Sequence, residues 1–277
     1  MPLDAQFFQI AQTSFNPHNP DSGTEHMAPL LYSLIRMVRP RTVVEFGSGY
    51  TTLFTLRALA DNADDVRAER QLLREKTLAV AGGTLSTMLT EDGKPHPVAM
   101  QWYSSGGKAC AVDPGYYLDA YEPRLFSFER QPHDHPYVQA MRDAVEQLEL
   151  QRLFEPFYGA QFSAKALPQG ALPVDLAWND DNAYREFFEE FWEVLNPRGG
   201  LLIFHNVPAS DEWWYAIEWM KEQRAAAKDL EVLILQEPHK LNQNGCAILR
   251  RVSEYRPPFA LSNPPAIIER LSQFMSR

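Results

Sequence analysis

Cysteine is nearly absent: the chain has two, Cys110 and Cys246, in 277 residues. They form no CxxC or zinc-type spacing, which excludes a disulfide framework and points to a reducing compartment with both thiols free. Basic clusters are missing as well. With 26 Lys and Arg against 36 Asp and Glu the formal charge is −10. No Lys/Arg block offers the electrostatic footprint that a phosphate backbone requires, so nucleic acid is excluded as a partner. Long apolar runs are lacking too, since none approaches the about 20 residues that span a bilayer. The stretch 1–15, with Asp4 and a brief apolar piece at Phe7 and Phe8, has neither the basic nor the apolar region of a signal peptide. The expectation is a cytoplasmic protein with no membrane partner.

Material for a core is present. Apolar residues make up 45% of the chain, aromatic residues 12% and charged residues 22%, which suits a single domain over 1–277 and not a disordered chain. Met27, Leu30, Leu31, Leu34, Ile35 and Val38 recur at helical spacing, predicting an amphipathic helix over 23–38 that Pro40 stops. The β-branched run 41–46 (RTVVEF) then breaks into Gly47-Ser48-Gly49, and 50–59 reads as a helix. Strand, glycine turn and helix open a βαβ unit.

Residues 61–122 depart from that rhythm, with a charged helix predicted over 65–80 and then a Gly- and Pro-rich aromatic segment. We read 61–122 as an insertion and as a lid, because long excursions from a scaffold tend to cover its site. Its Gly82-Gly83, Gly106-Gly107 and Pro114-Gly115 pairs suit hinges, and Trp102, Tyr103, Tyr116, Tyr117 and Tyr121 offer aromatic faces suited to a cation. The other reading is a small core of its own.

Alternation resumes after the insertion. Strands are predicted at 125–129, 153–157, 174–178, 201–204, 231–235 and 246–252, with helices at 136–150, 183–195 and 212–227. The last two strands are separated by the turn 242–245, too short for a crossover helix, and so pair antiparallel. The expected fold is α/β, a doubly wound and mostly parallel sheet with an antiparallel edge strand and helices on both faces.

In such a sheet ligands bind beyond the carboxyl ends of the strands. Four ends carry unusual residues: EFGSG at 45–49, Glu129, NDDN at 179–182, and His205-Asn206. With VVEFGSGYTT at 43–52, the acidic Glu129, VDLAWND and NPRGGLLIFHNV in that order, the chain resembles the class I S-adenosylmethionine (SAM) dependent methyltransferases, a Rossmann-like family. The resemblance covers most of the chain outside the insertion. It implies SAM as cofactor, with Gly47, Ser48 and Gly49 against its methionine part, Glu45 orienting its amino group and Glu129 accepting from the ribose diol. Gln161 and Phe162 stand where the family reads adenine, though Phe162 is equally well a core residue. Asn179 is expected at the sulfonium end.

Thr52 replaces the third glycine of a GxGxxG turn, which argues against a pyrophosphate and hence against NAD. Relatives that methylate catechols with magnesium carry acidic residues at both the fourth and fifth strand ends, whereas here the fifth ends in His205-Asn206. No metal is therefore expected. His205, Asp180 and Tyr184 are the catalytic candidates, His205 as base or as hydrogen-bond partner, with a scaffold histidine as the plainer reading. One member of 180–182 is expected to cap the next helix. Tyr116 and Tyr117 are expected to contact substrate. The pair His133 and His135 is read as surface at a helix start.

The expected function is in-line methyl transfer to a small molecule. Two alternatives use the same pocket: closure of SAM on itself to azetidine-2-carboxylate and methylthioadenosine, and a non-catalytic SAM-binding module. Acceptor and oligomeric state are not legible, and a homodimer is compatible with the sequence.

Overall fold

The computed structural model describes residues 3–18, 23–75, 78–80, 108–254 and 264–276. By contacts the chain divides into two compact units, Met1–Asn62 with Pro123–Arg256, and Ala63–Glu122 with Pro257–Arg277.

The first unit is built on seven strands: β1 (Thr42–Phe46), β4 (Arg124–Glu129), β5 (Phe154–Tyr158), β6 (Leu176–Asn179), β7 (Leu201–His205), β8 (Leu230–Leu235) and β9 (Cys246–Arg251). They lie in the order β5-β4-β1-β6-β7-β9-β8. All neighbours are parallel up to β7, and β9 is antiparallel to both β7 and β8. This is the doubly wound sheet with an antiparallel strand toward one edge that the alternation predicted. The order reverses between β1 and β6, which opens a crevice at their carboxyl ends.

Side-chain alternation sorts the strands onto two cores. Val43, Leu125, Leu176, Trp178, Ile203 and Ile248 face a layer made by α1 (Ala5–Ser14), α2 (Met27–Val38), the first part of α3 (Tyr50–Arg74) and α4 (Pro136–Gln147). Val44, Phe46, Phe126, Phe128, Ala177, Leu202, Phe204 and Leu249 face the opposite layer of α5 (Tyr184–Phe191) and α6 (Asp211–Arg224). By the same period Glu45, Ser127, Glu129 and His205 fall on the first face. Polar side chains thus reach the ends of three strands from inside an apolar layer.

Local chemistry fixes the ends of these elements. Helix α2 starts at Met27, later than the sequence suggested, and stops where Arg39 turns left-handed at φ 48° ahead of Pro40. Helix α4 has His135 as N-cap with Pro136 in its first turn. Helix α6 is capped by Ser210, whose hydroxyl accepts from the Glu212 amide, with Asp211 and Glu212 at its start and Lys221 and Arg224 at its end. At the start of the sheet the Asp175 carboxylate accepts from the amides of Arg41 (2.7 Å) and Thr42 (3.1 Å) and from the Asn196 side chain (2.8 Å). That single group stitches β1 to the segment entering β6. Among the edge strands, β5 has Pro156 at its centre, and β8 alternates between exposed and half-buried side chains.

One expectation fails at the start of the insertion. The sequence suggested a helix ending near residue 59 and a second, charged helix over 65–80, but α3 is continuous over 25 residues, and Leu78–Val80 is a strand. The charges that mimic a break are paired internally. Asp61 accepts from Tyr32 (2.7 Å) and from the Arg57 guanidinium, and Asn62 donates to the Ile35 carbonyl (2.8 Å).

The second unit contains the remainder of α3, a two-stranded parallel sheet of β2 (Leu78–Val80) and β3 (Lys108–Val112), a turn of 3₁₀ helix at Pro114–Tyr117 and α7 (Pro264–Met275). Asp113 accepts from the Gly115 amide (2.9 Å) and pairs with Arg270 (2.7 Å). Trp102, Tyr103 and the Gly82-Gly83 and Gly106-Gly107 pairs lie outside the described residues, as does the side chain of Cys110. Cys246 is free and buried. No helix among the described residues is long and apolar enough to cross a membrane.

Asp175→Ala, by removing the acceptor of two part-buried backbone amides and of the Asn196 side chain, is expected to lower unfolding free energy by about 1–3 kcal/mol. The exposed Asp64–Arg67 pair at 3.1 Å provides the control, since Asp64→Ala should stay within about 0.5 kcal/mol. Denaturant titration measures both.

Candidate active site

The site is assembled where β1, β4, β6 and β7 end, starting from the glycine turn. Gly47 has φ +86°, a left-handed conformation that strains any residue with a Cβ. Its amide donates to the Phe128 carbonyl (3.0 Å), and the Asp180 amide donates to the Phe46 carbonyl (3.0 Å). The turn is thereby tied to both neighbouring strands. Gly49 is required for a different reason from the one expected. A Cβ there would lie 2.5 Å from the Tyr137 hydroxyl, and that hydroxyl donates to the Ser48 carbonyl at 2.8 Å.

Glu45 is 1% exposed and surrounded by hydroxyls. Thr52 (2.8 Å), Ser127 (2.9 Å) and Thr51 (3.4 Å) all donate to its carboxylate. Thr52 also accepts from the Gly49 amide (2.7 Å), so the residue that broke the three-glycine pattern couples the turn to Glu45. Burial, with the charges of Asp180 and Glu129 adding to it, pushes the Glu45 carboxyl up to about 8 against these hydroxyl bonds. The sequence identified Glu45 but not Ser127 or Tyr137. A lone hydroxyl two residues before Glu129 in an apolar strand was the available signal for Ser127.

Glu129, 7% exposed, accepts from both the amide (3.1 Å) and hydroxyl (2.6 Å) of Ser48 on one oxygen, and from the Gln131 amide (2.9 Å) on the other. Ser48 and Glu129, read as two cofactor residues, are thus bonded to each other. A carboxylate offers about four acceptor positions, so these three donors leave one.

On the other side of β1 the Asn179 carboxamide is fully buried, accepting from the Asp181 amide at 2.7 Å. Helix α5 takes Ala183 as N-cap with no side-chain cap, so the expected cap from 180–182 is not formed. Asp181 instead pairs with Arg130 (3.0 Å), whose guanidinium lies 5.0 Å from the Phe46 ring centre. Asp180 turns to β7, where its Oδ1 lies 2.6 Å from His205 Nδ1. A carboxylate accepts, so Nδ1 carries the proton in this bond. His205 is 1% exposed, packs 5.7 Å from Trp178 between ring centres, and its Nε2 is buried without a hydrogen-bond partner.

Tyr184 donates its hydroxyl to the His205 carbonyl, and burial raises its phenol well above the usual range. Its hydroxyl ties the start of α5 to the end of β7. Phe162 packs edge-on against Phe46 (4.6 Å) and Phe187 (5.1 Å), within the aromatic core, while Gln161 is exposed beside it. The roles expected for Tyr116 and Tyr117 rest on their sequence position. They belong to the second unit, where Tyr117 donates to Glu69 (2.8 Å). His133 lies 2.5 Å from Arg142, and His135 accepts from the Tyr137 amide (3.3 Å), which leaves that pair as surface and cap.

No family model matches this chain, and no curated protein matches it. Solved structures do. The chain is similar to the O-methyltransferase TomG from Streptomyces achromogenes, involved in tomaymycin synthesis and solved with SAM, at 16% identity over 90% of each chain with a TM-score of 0.56. It is similar to an O-methyltransferase from Bacillus cereus solved with SAH, at 15% identity over 91% of this chain and 92% of that one, TM-score 0.51. A methyltransferase from Podospora anserina, also bound to SAH, matches at 13% identity over 90% and 88%, TM-score 0.52. The fold is the Rossmann-like fold of the class I SAM-dependent methyltransferases.

The raised Glu45 carboxyl carries a pH signature. Between its ordinary value of 4.5 and about 8 the folded protein keeps a proton that the unfolded chain has released, so this group makes stability fall as pH rises across that window. Glu45→Gln removes the titration, and denaturant midpoints should then decline less steeply with pH than in the wild type. Identical slopes would show that Glu45 is not held protonated.

Proposed function

We propose that this protein is a SAM-dependent methyltransferase acting on a small-molecule hydroxyl acceptor, with no metal at the transfer site. One observation carries the reading: the carboxylates of Glu129 and Asp180 flank the glycine turn at the switch point of the seven-stranded sheet, the first bonded to Ser48 and the second on the segment facing Gly47. Their charges also raise the Tyr137 phenol well above its usual range, after burial as the main cause. Such a crevice suits a ligand that carries positive charge, and SAM has two cationic centres, a sulfonium and an ammonium. The left-handed Gly47, with a Cβ-sized space facing the Asp180 backbone at 3.5 Å, is the cradle that a close-lying ligand needs. SAM and SAH are the ligands of the similar structures.

In this reading Gly47, Ser48 and Gly49 receive the methionine part, and Glu129 receives the ribose diol on its remaining acceptor position. Glu45 acts through Thr51, Thr52 and Ser127 as a positioning residue. Arg130 holds Asp181 away from the crevice. Bound SAM supplies an activated methyl group, so the protein's task is alignment and removal of the acceptor proton. His205 takes that proton on Nε2 while Asp180 steadies Nδ1–H, as a carboxylate fixes the tautomer of a base. Trp178 packs on the imidazole, and Tyr184 holds the His205 backbone. With Asp180 engaged by an imidazole and no carboxylate at the fifth strand end, the site lacks the oxygen-rich ligand set that magnesium prefers.

Purified protein incubated with SAM and a panel of phenols and alcohols should form methylated product and SAH, and added magnesium should leave the rate unchanged. Methylthioadenosine from SAM alone would identify the intramolecular cyclisation instead, and binding without turnover a non-catalytic module. His205→Ala should lower kcat by about 10²–10⁴ while SAM affinity is retained. Glu129→Ala should weaken SAM binding by about 1–3 kcal/mol, and unchanged affinity in calorimetry would remove Glu129 from the site.

A further inference from the structure

Outside the crevice, side chains from two segments distant in sequence meet: His26 at the start of α2, and Glu237 and His239 in the connection from β8 to β9. One ligand atom from each lies within 4.8 Å of the others, and this is the group of that kind found among the described residues. His26 Nε2 is 3.9 Å from Glu237 Oε1, and the two imidazole rings stand edge to face with centres 5.4 Å apart.

The carboxylate is set for a further partner. Its Oε2 accepts from the Gly245 amide (3.1 Å), while its Oε1 is buried with no hydrogen-bond donor. Lys240 lies 3.1 Å from that oxygen, but its ammonium is directed elsewhere: to Glu25 (2.7 Å) and to the carbonyls of Gly23 (3.0 Å) and Gln243 (3.5 Å). An ammonium has three protons, and three acceptors besides Glu237 are in reach. Glu25, Glu237 and Lys240 together carry a net charge of −1, which favours a cation. A buried acceptor without a donor is costly, and it sits beside two exposed imidazoles.

We propose that His26, Glu237 and His239 bind a transition-metal dication of the zinc class. Two imidazole nitrogens and one carboxylate oxygen are the donor set that borderline-soft ions take, in preference to magnesium or calcium. Zinc held at about 2.0–2.2 Å by each ligand in tetrahedral array needs ligand atoms about 3.3 Å apart. Small rotations of the two exposed imidazoles bring 3.9 Å to that distance. The ion joins the start of α2 to the β8–β9 connection. That connection also holds the end of β7, since Gly245 accepts from the Asn206 amide (2.8 Å) and the Asn244 amide donates to the Asn206 side chain (2.7 Å). The zinc site is therefore a clasp beside the strand end that carries His205, distinct from the methyl-transfer chemistry and independent of it.

The test uses the full chain after chelation and dialysis. Titration with zinc chloride should show a single saturating equivalent, and cobalt chloride should give the visible absorption bands of a low-coordinate nitrogen and oxygen site. His26→Ala combined with His239→Ala, both exposed and free of core contacts, should weaken zinc binding by more than the about 10- to 100-fold that loss of an outer partner costs. The double variant should also lose the rise in Tm that zinc gives the wild type, with an unchanged circular dichroism spectrum showing that it folds. Absence of a saturating step, or a double variant that binds zinc as tightly as the wild type, overturns the proposal.

Discussion

A carboxyl group buried without a counter-ion organises the crevice end of the sheet. Glu45 has no cation beside it in its hydrogen-bonded shell, only hydroxyls from Thr51, Thr52 and Ser127. Those hydroxyls come from two parts of the site: two from the first turn of α3 and one from β4. The Thr52 hydroxyl receives the Gly49 amide, so the shape of the glycine turn is transmitted into the strand below it. The turn in turn offers Ser48 to Glu129 and rests on Tyr137. A chain of short hydrogen bonds thus runs from inside the apolar layer to the rim of the crevice. Burial makes each member dependent on the rest, because an unpaired buried acceptor is costly where water cannot replace the donor.

The dyad on the other side of β1 follows a different logic. Asp180 and His205 stand at the ends of neighbouring parallel strands, Phe204 being in register with Asn179, and the turn held by Asn179 and Asp181 brings the carboxylate round to the ring. Trp178 packs against the imidazole, and the Tyr184 hydroxyl holds the backbone carbonyl of His205.

The parts of this structure that could be read in advance are local. The run 43–46 followed by two glycines specifies strand, turn and helix because β-branched residues, a left-handed turn and a helical start leave few alternatives. The unbroken apolar runs 201–204 and 246–249 likewise mark strands buried on both faces. Pairings across the fold were not legible. Asp61, Arg57 and Asn62 look like a solvent-facing break in a helix, yet they are 8%, 9% and 0% exposed; their partners Tyr32 and Ile35 lie in another helix, and nothing nearby in sequence announces them. His205 and Asp180 could each be chosen as strand-end residues, but their contact depends on the order of the sheet. Tyr137 was hidden for the same reason, since it reaches the glycine turn from a helix that follows a different strand. The packing of the half-buried Phe162 on Phe46 and Phe187 was likewise not announced by anything near it in sequence.

The two margins of the sheet differ as templates for a foreign strand. Along β5 the central Pro156 offers no N–H and its neighbour Glu155 carries charge, so an incoming chain finds an interrupted ladder. Along β8 the backbone is unbroken by proline, and Leu233 is 54% exposed, with Glu231 and Arg250 as the guarding charges 3.3 Å apart. Strand-to-strand association under crowded or partly unfolded conditions is therefore directional: it has one receptive margin, and the charge of Glu231 is the main barrier along it.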